Sequence, residues 1–333
     1  MGSVRVIAPG MLTTVQDRGR WGSQDRGVPV AGPMDPRALR LANALVGNPA
    51  DAAVLEITLV GPEIEFDDER LVVVTGAEFE LSVDGRAERM NSAFSVHAGS
   101  VLRCGHRRRG ARACLAVAGG IAVPPVLGSR ATHLPSAMGG LDGRPLKVGD
   151  RLPLGKRGRE SFSPLRKRGR TPFQRAQNEG YDPFLGDRET TPVPFFIRVL
   201  PGPQLDRFAP DALDVLQSRP YTIDAASNRM GFRLTGPALK HAGTAEMLSD
   251  SIPFGAIQVP AAGQPILLMA DRPTTGGYPN IATVISADIG IAGQLAPGDS
   301  ISFVATTMRD AIAALIAQEQ ALMAFDDDAD RRR

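Results

Sequence analysis

Glycine and proline interrupt this chain so often that no long apolar segment survives between them. The 333 residues include 36 Gly and 27 Pro, about 19% together against an average nearer 12%. Such punctuation fits short strands and tight turns, and it argues against a helical bundle. No Gly-X-Y period runs through the chain, so it is not collagen-like. Runs such as Leu71-Val72-Val73-Val74 and Ile266-Leu267-Leu268-Met269 demand burial, which argues against a disordered chain. No apolar run approaches 18 residues, so no transmembrane helix is expected. The segment from Met1 to Leu12 lacks a secretory apolar core, and a cytoplasmic location is expected. The length suits one large or two medium domains.

The formal net charge of +2 selects no class of partner. Basic residues cluster at Arg103, Arg107, Arg108, Arg109 and Arg112, and again from Lys156 to Arg170. A nucleic-acid surface needs basic residues interleaved with stacking aromatics. Only Phe162 and Phe173 lie near these runs, so no nucleic-acid partner is expected. Cys104 and Cys114 are too few for a disulfide scaffold or a zinc site. A turn at 107–110 would set them across from each other on neighbouring strands; reduced, buried thiols are expected in a cytosolic chain. The four histidines show no metal-binding spacing, and no metal is expected.

Alternation and turn signals give a dense succession of strands. Val4–Ile7 comes first. Then Asp35 caps a helix from Pro36 to Val46, with Pro36 at its first position and Gly47 after its last turn. Strands are predicted at 54–59, 62–66, 71–75, 79–83, 93–95, 101–104 and 112–117, with an Asp84-Gly85 hairpin turn. A second block starts near Phe195. It carries strands at 196–200, 221–223, 231–234, 256–259, 266–270, 281–285 and 301–304, and a short helix at 211–217. An amphipathic helix from Met308 to Phe325 sets Met308, Ile312, Leu315 and Ile316 on one face. The tail from Asp326 to Arg333 is charged and expected to fray.

The two blocks echo each other in order. Val4–Gly10 resembles Ile197–Gly202, Leu59–Pro62 resembles Leu234–Pro237, and Leu146–Asp150 resembles Leu295–Asp299. Three matches in one order suggest two related β subdomains. The expected boundaries are 1–155 for the first, 156–194 for a basic, turn-rich and loosely held insert, 195–305 for the second, and 306–333 for the terminal helix and tail.

Common catalytic motifs are absent: there is no P-loop, no Gly-x-Ser-x-Gly elbow and no cysteine in a nucleophile context. Chemistry must then come from loops rich in Asp, Arg, Thr and Gly. In Ala270–Pro279, Asp271 and Arg272 leave a strand together. Thr274, Thr275 and Tyr278 add hydroxyls, and Gly276-Gly277 lets backbone N–H groups approach a ligand. The bland alternative is a turn in which Asp271 caps its own backbone. In Thr13–Gly22, Asp17 stands ready to pair with an arginine, and Trp21 is either packing or a ligand platform. Gly32–Asp35 and the following helix offer Asp35, Arg40 and Asn43, with capping as the plain role for Asp35. Val126–Thr132 offers Arg130. Ser227–Gly231 offers Arg229, an anion clamp by its fork geometry.

These segments, with Glu56–Pro62, Pro124–Thr132, Leu200–Pro203, Ser227–Pro237 and Gly255–Asp288, resemble the carboxyltransferase subdomain A/B family, also called allophanate hydrolase subunit 2. The resemblance covers 4–155 and 195–305, with an insert longer and more basic than usual. It implies a mainly β fold of two cyclophilin-like β-barrel subdomains, a few short helices and a C-terminal helix. It implies the C component of an ATP-dependent 5-oxoprolinase, which opens 5-oxo-L-proline to L-glutamate. The implied partners are the B component, KipI-like and of C/D type, and the A component, which is LamB/YcsF-like. The chain is expected to be inactive alone. ATP would be used by the complex, since this chain has no P-loop. The alternatives are a biotin-dependent carboxyltransferase component acting on urea or another small amide, and a Kip-type regulatory binding protein. The sequence shows no biotin carboxylase region and no biotinylation motif, so a complete carboxylase is not expected.

Both enzymatic activities need a planar amide held while negative charge grows on its oxygen. On this resemblance Arg272, Arg229 and the Gly276-Gly277 backbone would stabilise that oxygen, and Asp271 would orient a substrate N–H. Asp17, Asp35, Asn43, Arg130, Thr274, Thr275 and Tyr278 would line the substrate site. Replacing Asp271 by Ala is then expected to silence the assembled complex without unfolding it.

Overall fold

The computed structural model describes residues 2–156, 181–182, 186–187 and 195–330, and the protein is mainly β. The chain divides into two compact units. One comprises Met1–Arg20, Ala31–Glu189 and Ala321–Arg333; the other comprises Trp21–Val30 and Thr190–Gln320. Residues 21–30 thus belong with the second unit, which contiguous boundaries do not anticipate. The expected insert at 156–194 lies outside the described residues, apart from Lys156 and the paired strands β10 (Tyr181–Asp182) and β11 (Gly186–Asp187).

The first unit is a nine-stranded half-barrel sheet. Its strands are β1 (Ser3–Ala8), β2 (Leu12–Gln16), β3 (Val54–Thr58), β4 (Glu63–Phe66), β5 (Arg70–Val83), β6 (Arg86–Ala87), β7 (Phe94–Val96), β8 (Val101–Val117) and β9 (Arg151–Pro153). The spine order is β2-β3-β8-β4-β1-β9, with β5 laid along β8. The apolar run in β5 is continuous because both of its faces are covered. Val72 and Val74 enter the sheet's main core with Leu55, Ala113 and Leu115. Val73 faces the helix Pro36–Leu45, packing with Leu39, Ala42, Cys114 and Ala116. That helix starts where expected, since the Asp35 carboxylate accepts from the backbone N–H of Arg37 and Ala38. The Asp84-Gly85 turn also forms, with φ of 50° and 81°, the left-handed pair that a two-residue hairpin needs.

The turn expected at 107–110 does not exist. Val101–Val117 is one strand, paired with β5 through register shifts near Gly76, Glu78 and Phe79. The arginines mark its exposed waist, where Arg103 meets Glu63 at 3.0 Å and Arg108 meets Glu80 at 3.8 Å. Exposure and irregularity there are absorbed by bulges rather than by chain reversal. Cys104 and Cys114 therefore lie on the same strand, with Leu81 opposite one and Thr75 opposite the other. Both thiols are free and buried, and burial pushes the Cys104 thiol up to about 12. Neither cysteine should react with iodoacetamide at pH 8 until the chain unfolds; rapid labelling of the folded protein, read by intact mass, would contradict this burial.

The second unit is a closed barrel of seven strands. These are β12 (Phe195–Pro201), β13 (Tyr221–Ile223), β14 (Gly231–Thr235), β16 (Ala256–Gln258), β17 (Ile266–Leu268), β19 (Asn280–Val284) and β20 (Ser300–Ala305). A separate two-stranded ladder joins β15 (Asp250–Ser251) to β18 (Thr275–Gly276). Parallel pairing of β12 with β20 takes part in closing the ring, whose order is β12-β19-β16-β17-β14-β13-β20. Ile197, Val199, Ile257, Leu267, Ile281, Ile301 and Phe303 are buried, as alternation inside a barrel requires.

The terminal helix runs from Met308 to Asp330, past its expected end at Phe325, and the tail beyond Asp330 lies outside the described residues. Its face also differs from expectation. Ala311 and Ala314 pack on Leu200, Ile285 and Ala287, and Gln318 donates to the Ala287 carbonyl. Met308, Ile312 and Ile316 are left more than half exposed. Small side chains let the helix lie close to the barrel, and the bulky stripe faces away. Among the described residues no helix is long and apolar enough to cross a membrane.

Candidate functional site

β14 and β17 are antiparallel neighbours, with Gly231 opposite Leu268. The pairing continues past the strand ends, because Met269 N–H donates to the Met230 carbonyl and Asp271 N–H to the Arg229 carbonyl. Arg229, just before β14, therefore stands beside Asp271, just after β17. Their side chains form a two-pronged pair, with Nε to Oδ2 at 3.0 Å and a terminal nitrogen to Oδ1 at 3.0 Å. Their side chains are only 5% and 1% exposed. Two separate loops from the sequence thus meet, and the arginine's fork is engaged by the aspartate. In this geometry the pair acts on the loop as a fixed strut.

Arg272 is also buried, and it differs in having no carboxylate partner among the described residues. Its Nε donates to the Ile252 carbonyl at 3.0 Å, and a second nitrogen lies 3.5 Å from the Met269 carbonyl. The guanidinium covers the Phe254 ring at 5.1 Å. Burial lowers its pKa to about 10, so it remains a cation at neutral pH. It ties the segment around Ile252 to the start of the 270–279 loop.

That loop is held against 247–252. The β15–β18 ladder sets Gly276 opposite Asp250 and Thr275 opposite Ser251. Ile252 N–H donates to the Thr274 carbonyl, and Met247 N–H to the Gly277 carbonyl. The backbone of Gly276-Gly277 is thus joined to a neighbouring segment. Tyr278 is 43% exposed. Between these segments lies a narrow, partly open cleft of about 30 Å³, lined among others by Gln204, Asp250, Gln258, Gly276, Tyr278 and Asn280. Only Gly276 and Tyr278 of these are legible from the sequence. Gln258 and Asn280 sit inside strand patterns, and Gln204 and Asp250 in ordinary turns, so no spacing signal marks them.

Asp17, Asp35, Asn43 and Arg130 belong to the first unit, and the structure ties each into local hydrogen bonds. The Asp17 carboxylate accepts from Gly19 N–H, from Ser129 Oγ–H at 2.6 Å and from Arg130 N–H. The Arg130 Nε donates to the Val123 carbonyl at 2.7 Å. The arginine that Asp17 supports is Arg20, fully buried, with donors to the Val126 and Ala131 carbonyls. Desolvation lowers the Arg20 pKa, and the negative charge of Asp17 opposes that fall. So the loops 13–22 and 126–132 meet through Asp17 and Arg20. Asp35 caps its helix. Asn43 donates to the Ala52 carbonyl and accepts from Asn48, which fixes the turn after that helix. Trp21 is 63% exposed and is not core packing.

Comparison with known proteins agrees with this architecture. Over 95% of its length the chain is 41% identical to the C component of 5-oxoprolinase from Escherichia coli, covering 96% of that protein. It is 35% identical to the corresponding 5-oxoprolinase component of Haemophilus influenzae, over 90% of this chain and 89% of that one. The crystal structure of the K. lactis urea amidolyase superposes with a TM-score of 0.85 at 32% identity over 97% of this chain. There the chain spans only 20% of the larger protein. The family described as carboxyltransferase domain, subdomain A and B, matches residues 26–305, and the chain belongs to that family.

Proposed function

We propose that this chain is the C component of an ATP-dependent 5-oxoprolinase, converting 5-oxo-L-proline to L-glutamate together with partner subunits. The similarity to the E. coli C component, which runs almost the full length of both chains, carries the reading. The partners are the KipI-like, C/D-type B component and the LamB/YcsF-like A component. Lactam opening adds water across the ring C–N bond, and the complex couples it to ATP hydrolysis. The sequence has no P-loop. The second-unit cleft would take the N–H edge of the lactam, with the rest of the ring at its open side. Arg272 and the Arg229–Asp271 pair would position the 270–279 loop around it rather than act on the reacting atoms.

The test is glutamate release from 5-oxoproline and ATP, with each of the three components omitted in turn. Release should require all three, and this chain alone should give none. No release from a folded, fully assembled complex would refute the reading. The second reading is biotin-dependent carboxyl transfer to urea or a related amide, supported by the fit to the K. lactis urea amidolyase. It expects urea carboxylation when a biotin carboxylase and a biotin carrier are supplied.

A further inference from the structure

Gln258 ends β16 and is 8% exposed. Its Nε2 donates to the Tyr278 carbonyl at 3.1 Å. That bond fixes which way the amide points, since the opposite orientation would set oxygen against oxygen. The Oε1 atom then has no hydrogen bond among the described residues, and Gln258 lines the cleft. The other amides there are engaged. Asn280 accepts from Ile257 N–H and donates to Thr283 Oγ1, both at 3.0 Å. Gln204 accepts from Asn280 N–H at 3.2 Å and lies 3.3 Å from an Asp250 carboxylate oxygen as donor.

What the cleft still offers is therefore dominated by acceptors: the Gln258 Oε1 and the Asp250 carboxylate. The Tyr278 phenol adds a donor at the rim. Among the described residues no Lys, Arg or His lines the cleft, so an anionic group gains nothing by entering and would meet Asp250. Gly276 keeps the amide uncovered. A Cβ there would stand 3.1 Å from Gln258 Nε2, 3.3 Å from its Oε1 and 2.6 Å from Ile252 Cδ1.

We propose that this cleft reads the N–H edge of a small neutral cis-amide, a lactam or ureido group, with Gln258 Oε1 as the acceptor. Any carboxylate on the ligand points out of the cleft, away from Asp250. The inference rests on the placement of the lactam in this cleft under the reading above. Gln258 is then a specificity residue, because a ligand without the N–H displaces water from this acceptor and leaves it unpaired.

The probes are 2-pyrrolidinone and N-methyl-2-pyrrolidinone, titrated into the full chain and followed by NMR. The N–H lactam should give saturable shifts in the Gln258 side-chain amide and in residues 276–278. The N-methyl lactam should bind about tenfold more weakly, the scale of one lost hydrogen bond. Gln258→Leu should abolish that preference. Gly276→Ala should weaken 2-pyrrolidinone while keeping the fold, since the Ile252 methyl can move. Equal binding of the two probes, or shifts that avoid the cleft, would overturn the proposal without any variant. Glutamate release by the complex with no lactam preference in the cleft sinks this inference and leaves the 5-oxoprolinase reading standing. A clear lactam preference with an inactive complex does the reverse.

Discussion

Replacing Asp271 by Ala should cost the second unit about 3–5 kcal/mol of stability, the usual effect of removing one partner from a buried ion pair. The sequence alone leads to a different expectation, that the change silences activity without unfolding. The burial of both side chains decides between them. Without the carboxylate, the Arg229 guanidinium keeps its desolvation cost and loses both prongs of its partner. The double replacement Arg229→Met with Asp271→Leu should recover most of the loss, because no uncompensated charge remains. Denaturant unfolding followed by circular dichroism gives the midpoints, and hydrogen exchange at 229–231 and 269–272 locates the damage. A single variant as stable as the parent would show that the pair is not the strut described. Residual glutamate release by the folded double variant in the complex would separate positioning from chemistry, since a catalytic carboxylate could not be replaced by Leu.

Much of the fold was legible because its signals are local. The Asp35 cap and the Asp84-Gly85 turn depend on a few neighbouring residues, and both form as read. The echo between the blocks also has a physical basis. Asp150 accepts from Lys147 N–H and donates its own N–H to the Lys147 carbonyl; Asp299 does the same with Ala296. One turn, built twice, left the same short pattern in the sequence. The failures share a cause too. Arg107–Gly110 looked like a turn because it is polar, yet an exposed strand waist is polar as well. The terminal helix has apolar residues on more than one face, so periodicity could not tell Ala311 and Ala314 from Ile312 and Ile316. The site was legible as loops but not as partnerships. Arg229 and Asp271 are 42 residues apart, and Asp17 and Arg130 are 113 apart; only strand register brings them together. Gln258 was invisible, because one polar residue between Ile257 and Val259 reads as an ordinary outward position.

Asp17→Asn should cost the first unit about 1–3 kcal/mol, although it changes only one atom type. One carboxylate oxygen accepts from both Gly19 N–H and Ser129 Oγ–H, and the other from Arg130 N–H. An asparagine can accept at only one of these positions, and its NH2 then faces a donor at the other. The charge matters as well. Arg20 is fully buried, burial lowers its pKa, and the negative charge of Asp17 acts against that fall. A neutral residue 17 leaves the guanidinium uncompensated. The Arg20 pKa should then fall further, which disfavours the charged form that donates to Val126 and Ala131. The 126–132 loop should lose exchange protection first, before the strands of the sheet. Arg20→Met should act on the same loop, and the double variant should cost less than the two changes added, because the buried charge is gone. Strict additivity would mean that Asp17 and Arg20 do not work as a pair. An Asp17→Asn chain of normal stability would show that the three bonds accepted by its carboxylate do not hold this loop.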